Sequence, residues 1–346
     1  MPVQYGLGVM KEHLHTRSHA GLFDVSHMGQ VRVDGGDYAT IAAGLERLLP
    51  VDVMGLGENR QRYGFLTNDD GGILDDLMIA NRGDHVFVVV NAACKDQDFA
   101  LMQKGLAGLN VMMIPDRALL ALQGPAAETA LSCLNPAVAD MAFMDVATVE
   151  LVGAPCWISR SGYTGEDGYE ISIPATHADD LARALIAMDE VEPIGLGARD
   201  SLRLEGGLCL YGHDIDATTT PIEGGLNWAI QKVRRTDGAR AGGFPGADKI
   251  LAQLTEKPSR KRVGLRPEGR APMREGVALF ETETSETPIG KITSGGFGPT
   301  VGGPVAMGYV PATLATPNTQ VFGELRGKRL PLTVTKLPFS PANFKR

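Results

Sequence analysis

A single stretch, residues 73–91, limits what this chain can fold into more than any other. Two apolar runs of strand length, Ile73 to Ala80 and His85 to Asn91, are separated by Asn81-Arg82-Gly83-Asp84. A short polar turn with a glycine between two such runs reads as a β-hairpin. Another strand, Arg62 to Leu66, precedes them, and Gln30 to Val33 ends at Asp34-Gly35-Gly36. Helical spacing marks the opening segment up to Ala20, then Tyr38 to Leu49 and Asp96 to Leu106. The alternation recurs: Ala118 to Leu122 is strand-like, Pro125 to Leu134 helical, Thr148 to Ser159 and Tyr169 to Ile173 strands, and Ala178 to Met188 helical. Strands that arrive in hairpins build antiparallel sheets, so the class is α+β and a doubly wound parallel sheet is excluded.

From Val263 onward the character changes. Short β-like pieces alternate with turns at Gly276, Pro288, Gly295-Gly296, Gly298-Pro299 and Gly302-Gly303-Pro304, and helical spacing is lost. That pattern predicts a small all-β barrel or sandwich. The expected organisation is an α+β body over 1–248, a helical linker over 249–262 and a β domain over 263–346, which suits a chain of 346 residues. The basic run Lys257 to Arg262 reads as solvated linker.

A net charge of -8 opposes nucleic-acid binding, which needs a basic stripe to neutralise phosphates. No run approaches the roughly 18 apolar residues of a membrane helix, and the start lacks the basic and apolar regions of a signal peptide. Four scattered cysteines without a C-x-x-C pair point to reduced thiols and a cytoplasmic setting. No dinucleotide fingerprint, phosphate loop or H-E-x-x-H motif is present. His13, His15 and His19 lack acid or thiol companions at ligand spacing, so they read as a polar helix surface and no metal is expected.

Three constellations carry chemistry. In Gly71 to Asn81 (GGILDDLMIAN), strand alternation puts Asp75 with Ile73, Leu77 and Ile79, and Asp76 with Leu74 and Met78. One of the two acids therefore points into an apolar layer, where a carboxylate must be paired, protonated or functional. Alternation alone does not say which. In Ser159 to Ile173 (SRSGYTGEDGYEISI), glycines allow close approach of the backbone to a ligand. Tyr163 and Tyr169 offer flat faces there, and Glu170 lies opposite Tyr169 and Ile171. In Gly195 to Tyr211 (GLGARDSLRLEGGLCLY), Arg199, Asp200, Arg203 and Glu205 alternate in sign on a helix. They form either a solvated ion-paired face or, through Arg199, a clamp for a carboxylate.

These stretches resemble the aminomethyltransferase family, the T-proteins of the glycine cleavage system. The resemblance extends to FDVSHMG (Phe23 to Gly29), VVNAAC (Val89 to Cys94), LQGP (Leu122 to Pro125), PIEGGLNWAI (Pro221 to Ile230) and GKITSGGFGPTVG (Gly290 to Gly302), in family order along nearly the whole chain. It implies two interleaved antiparallel-sheet domains and a C-terminal β-barrel around a central folate channel. It also implies a reaction in which the carbon of an aminomethyl group, presented on the lipoyl arm of an H-protein, passes to tetrahydrofolate. By the same resemblance Asp76 is the catalytic acid and Asp75 a structural one. It implies further that Tyr63, Asn91 and Tyr163 line the folate pocket, that Glu170 pairs with the pterin edge, that Arg199 helps hold the anionic end, and that the terminal Arg346 lies near the pocket or its mouth. Phe143 stands where some members have tyrosine, and Leu208 where many have an aromatic. Met1 falls at an internal position of the family, so a lead-in helix and strand are expected to be missing, leaving an unpaired sheet edge. Two other readings share the fold: a folate-dependent demethylase of a small methylated donor, and a non-catalytic folate-binding factor of iron–sulfur assembly.

Overall fold

The computed structural model describes residues 1–346. The chain begins with α1 (Val9–Ser18), β1 (Ala20–Asp24), β2 (Gly29–Asp34), α2 (Tyr38–Leu45), β3 (Arg60–Thr67), β4 (Ile73–Asn81), β5 (Val86–Val90), α3 (Lys95–Gly105) and β6 (Asn110–Met113). It continues through β7 (Arg117–Gln123), α4 (Ala127–Leu134), β8 (Val146–Leu151), β9 (Ala154–Ser159), β10 (Gly168–Pro174), α5 (Ala178–Ile186), β11 (Val191–Pro193) and α6 (Leu196–Glu205). After α7 (Ala247–Glu256) come the strands β12 (Arg260–Pro267), β13 (Ala278–Phe280), β14 (Gly290–Gly298), β15 (Gly303–Pro311), β16 (Gln320–Leu325) and β17 (Lys328–Thr335), with a single short 3-10 turn at Ala312–Leu314.

The strands form a five-stranded sheet (β3-β4-β5-β2-β6), a six-stranded sheet (β11-β1-β7-β10-β9-β8) and a closed barrel (β12-β15-β14-β13-β16-β17). β1 lies in the six-stranded sheet although β2 to β6, which follow it, build the other, so the two α+β units are threaded through each other. The β4–β5 hairpin forms as expected. Gly83 sits at φ +82°, a conformation only glycine adopts freely, and its N–H is capped by Asn81 Oδ1 at 3.0 Å.

β4 shows the predicted alternation. Ile73, Leu77 and Ile79 point into a core that also holds Ile41, Leu45, Phe65 and Met102, and Asp75 goes in with them at 0% exposure. Leu74, Asp76 and Met78 are half-buried on the opposite face. Met78 and Val89 from this sheet, with Leu119, Ser159 and Glu170 from the other, line a narrow cleft between the two sheets.

Several expectations need correcting. The sheets are antiparallel except for β11, which pairs parallel with β1. β1, β6 and β11 carried no legible strand signal, being short and, in β1, buried almost throughout. The barrel begins at Arg260, so part of the basic run is strand and not linker. Arg262 is held by the carbonyls of Gly224 at 2.9 Å and Gly207 at 3.0 Å. The histidine-bearing helix is not a polar surface: Glu12, His13 and Thr16 are 0% exposed, and only His15 and His19 stack on its outer side, 4.9 Å apart.

The face of α6 is not a solvated ion-paired one either. Arg203 is buried against Asp214 at 2.7 Å. Glu205 accepts from His13 at 3.0 Å, Arg17 at 3.2 Å and the Thr300 N–H at 2.8 Å, tying α1, α6 and a barrel loop together. A bulge between Ile292 and Ser294 in β14 aims both Ser294 and Thr293 hydroxyls at Asp214.

Candidate active site

Asp76 is fixed from two sides. β3 and β4 place Tyr63 so that its hydroxyl donates to Asp76 Oδ2 at 2.9 Å. Asn91, just after β5, donates through Nδ2 to Asp76 Oδ1 at 2.7 Å. Burial raises the proton affinity of Asp76, and the neighbouring Asp75 adds to it. The two hydrogen bonds favour the anion and offset part of that, leaving a pKa of about 7. A carboxyl group with that affinity exchanges its proton readily at neutral pH.

Asn91 also holds the other acid. Its backbone N–H and Nδ2 donate to the two oxygens of Asp75 at 3.0 and 2.8 Å. The acid in the apolar core is Asp75, and Asp76 lies on the opposite face of β4, the face whose Met78 lines the cleft between the sheets.

Tyr163, in the glycine-rich loop between β9 and β10, donates to the carbonyl of Cys209. The Arg199 guanidinium lies 4.8 Å above the Tyr163 ring. Arg199 Nη1 is buried and has no hydrogen-bond partner, and that burial lowers its pKa. A dry, unpaired guanidinium N–H is costly unless a ligand acceptor meets it. Glu170 projects from β10 into the cleft, with one oxygen accepting from Ser161 at 2.7 Å.

Asp76, Tyr63 and Asn91 form one cluster through direct hydrogen bonds; Tyr163 and Arg199 form a second, and Glu170 lines the inter-sheet cleft. Arg346 joins none of them: it is exposed and makes no ion pair. Its neighbours are tied down, Asn343 to the carbonyl of Gly165 at 2.9 Å and Phe344 stacked on Phe143 at 4.1 Å. Phe143 therefore holds the C-terminal tail.

Two residues escaped the sequence reading. Trp228 is 60% exposed and stacks on Tyr63 at 5.4 Å. Asp98, on α3, is 0% exposed. Its signal was available, because it occupies the same helical stripe as Met102 and Leu106, where an apolar residue belongs. No group of three or more His, Cys, Asp or Glu side chains is placed to hold a metal ion.

The GCVT N-terminal domain matches residues 1–234, and the glycine cleavage T-protein C-terminal barrel domain matches residues 260–340. The chain belongs to the glycine cleavage T-protein family. It is similar to the mitochondrial aminomethyltransferase of Mus musculus, 46% identical over 99% of this chain and 85% of the relative. The mitochondrial aminomethyltransferase of Dictyostelium discoideum is 42% identical over 100% and 88%. A crystal structure of the glycine cleavage system aminomethyltransferase T from Bartonella henselae superposes with a TM-score of 0.93. At 45% identity it covers 100% of this chain and 93% of its own. A T-protein at this similarity and coverage is an enzyme, an aminomethyltransferase of the glycine cleavage system. The demethylase and assembly-factor readings are not favoured. No helix is long and apolar enough to cross a membrane.

Proposed function

We propose that Asp76 is the reacting acid of this aminomethyltransferase, with tetrahydrofolate as carbon acceptor and the aminomethylated lipoyl arm of an H-protein as donor. The observation that carries the reading is the Asp76 carboxyl group, pinned by Tyr63 and Asn91 and balanced near neutral pH. Bound tetrahydrofolate supplies the nitrogens that receive the carbon. As the carbon passes over, its bonds to the amine nitrogen and to the lipoyl sulfur break, releasing ammonia and the dihydrolipoyl thiol, and the attacking nitrogen becomes cationic and must then lose a proton. An anchored, partly desolvated carboxylate steadies that charge and accepts the proton.

The surrounding residues fit such a ligand. Glu170, held by Ser161, has a free oxygen edge for the paired N–H groups of a pterin. Arg199 offers its unpaired Nη1 to the anionic end of the folate. Tyr163, Tyr63 and Asn91 wall the pocket, and Arg346 is assigned to its mouth. The proposed body spans 1–248, followed by a linker and by the barrel domain, whose first strand starts at Arg260. The compartment proposed is the cytoplasm, supported by four unpaired cysteines; the relatives above are named mitochondrial.

The test is Asp76→Asn, assayed with tetrahydrofolate and aminomethylated H-protein for ammonia and methylenetetrahydrofolate. Folate binding survives and turnover collapses by about a thousandfold, the scale of a lost general base. Undiminished turnover would sink the assignment.

A further inference from the structure

The reaction leaves one buried acid unused. Asp98 lies in the first turn of α3 with its side chain fully enclosed, and neither oxygen meets an N–H or O–H donor. It lies beside Asp75: the Asp98 N–H donates to the carbonyl of Cys94 at 2.9 Å, the Cys94 N–H donates to that of Asn91 at 3.0 Å, and Asn91 grips Asp75. Asp75 is itself 0% exposed, and both its oxygens already accept from Asn91. Asn91 in turn grips Asp76. The four residues therefore form one line, running from the buried side of α3 to the Asp76 carboxyl group on the other face of β4.

We propose that Asp98 is a positioning residue for the one-carbon transfer: its carboxyl O–H braces Asp75, and Asp75 holds the Asn91 amide against Asp76. Two ionised carboxylates cannot sit together in a dry interior, and Asp75 already accepts from Asn91, so Asp98 is the one left to carry the proton and donate. The first turn of a helix favours an anion, but burial and the adjoining acids outweigh it and push the proton affinity of Asp98 well up. The groups that face it are Asp75 and Asp76 from β4, Cys94 from the turn before α3, and Tyr211 from the segment after α6. None of these is a cation that would draw the proton away.

The consequence is a division of labour within the acid pair. Asp75 is more than a strand acid, since it is the link through which the helix sets the rotamer of Asn91. Loss of the brace frees Asn91 to swing, and Asp76 then loses a hydrogen bond that favours its anion.

The inference rests on Asp76 as the reacting acid, and the experiment separates the two. Full-length Asp98→Ala and Asp98→Asn are assayed with tetrahydrofolate and aminomethylated H-protein between about pH 6 and pH 9. Asp98→Ala lowers kcat about tenfold, leaves the KM for tetrahydrofolate within about twofold, and moves the acid limb of the kcat profile to higher pH. Asp98→Asn restores an N–H donor and recovers most of kcat. Equal kcat in parent and Ala variant, or an Asn variant no better than Ala, overturns the proposal. Should the Ala variant not fold, infrared difference spectra of parent minus Asp98→Asn at about pH 8, where Asp76 has ionised, decide the matter. A protonated-carboxyl band lost in the variant supports the brace, and its absence refutes it. An Asp76→Asn enzyme that still turns over removes Asp76 instead, whatever the infrared result.

Discussion

Tyr63 donates its phenolic hydrogen to Asp76 at 2.9 Å while its ring is stacked under Trp228. That bond stabilises the anionic form of Asp76, against the upward push of burial and of Asp75. Tyr63→Phe keeps the ring and the stacking and removes only the bond. The proton affinity of Asp76 therefore rises. If the carboxylate is the working form, activity is present above its pKa and falls as pH drops through about 7 in the parent. In Tyr63→Phe the acid limb of the kcat profile moves to higher pH by about one unit, the worth of a hydrogen bond to a charged group. A profile that stays in place shows that the limb belongs to another residue.

The carboxyl group of Glu205 is shifted in the opposite direction to that of Asp76. Burial opposes its charge, yet the His13 bond and charge, with Thr300 and the Val301 N–H, overcome this and bring its pKa down to about 2. A depressed carboxyl pKa stabilises the fold above the unfolded value of about 4.3. That contribution is lost as pH falls from there through about 2. Glu205→Ala leaves His13 and Arg17 without their buried acceptor and costs about 3–5 kcal/mol. Thermal unfolding across about pH 2 to 7, which takes in both values, checks both parts. The parent loses Tm steeply on acidification, and the variant starts lower and declines less.

How much of this was legible follows from where each signal resides. The hairpin, the barrel and the alternation of Asp75 and Asp76 were readable because periodicity and turn chemistry are local. β1 was not, because a five-residue strand buried on both faces shows no alternation. His13 and Glu205 were misread for a related reason. They are 192 positions apart and meet only when α1 crosses α6, so each looked like a surface charge on its own helix. Asp98 could have been flagged from its apolar stripe, yet its partner Asp75 lies on another element. The roles of Glu170 and Arg199 came from resemblance, since a glycine-rich hairpin and a charged helix are common features with many uses.

Arg199 sets binding against stability. Its unpaired, buried Nη1 penalises the ligand-free protein, and a folate carboxylate would relieve it. Arg199→Met keeps the length and the packing on Tyr163 and removes the charge. Calorimetric titration with tetrahydrofolate gives a Kd raised about 10- to 100-fold, the loss of a charge-assisted bond. The ligand-free variant unfolds at the same temperature as the parent or higher. Unchanged affinity together with a lower Tm would make Arg199 a purely structural residue.

Gly72 bears on the site through the backbone. A Cβ there would lie 1.8 Å from the carbonyl oxygen of Ala217, and a backbone atom cannot swing aside as a side chain would. The same loop is fastened to the start of β4 by bonds from the Ile73 N–H to the carbonyls of Asp216 at 3.1 Å and Thr219 at 3.0 Å. Asn68 Nδ2 adds a bond to Ala217 O at 2.9 Å. Gly72→Ala must push this loop off the strand that carries Asp75 and Asp76. The strain and lost bonds cost about 1–3 kcal/mol or more, and displacement of β4 lowers kcat as well. Gly303→Ala is the matched control, because its Cβ meets nothing within 4 Å. It stays within about 0.5 kcal/mol of the parent. Urea unfolding and turnover measured on both variants separate a steric cause from a general intolerance of alanine. The expected result is a loss of stability and activity at Gly72 and of neither at Gly303.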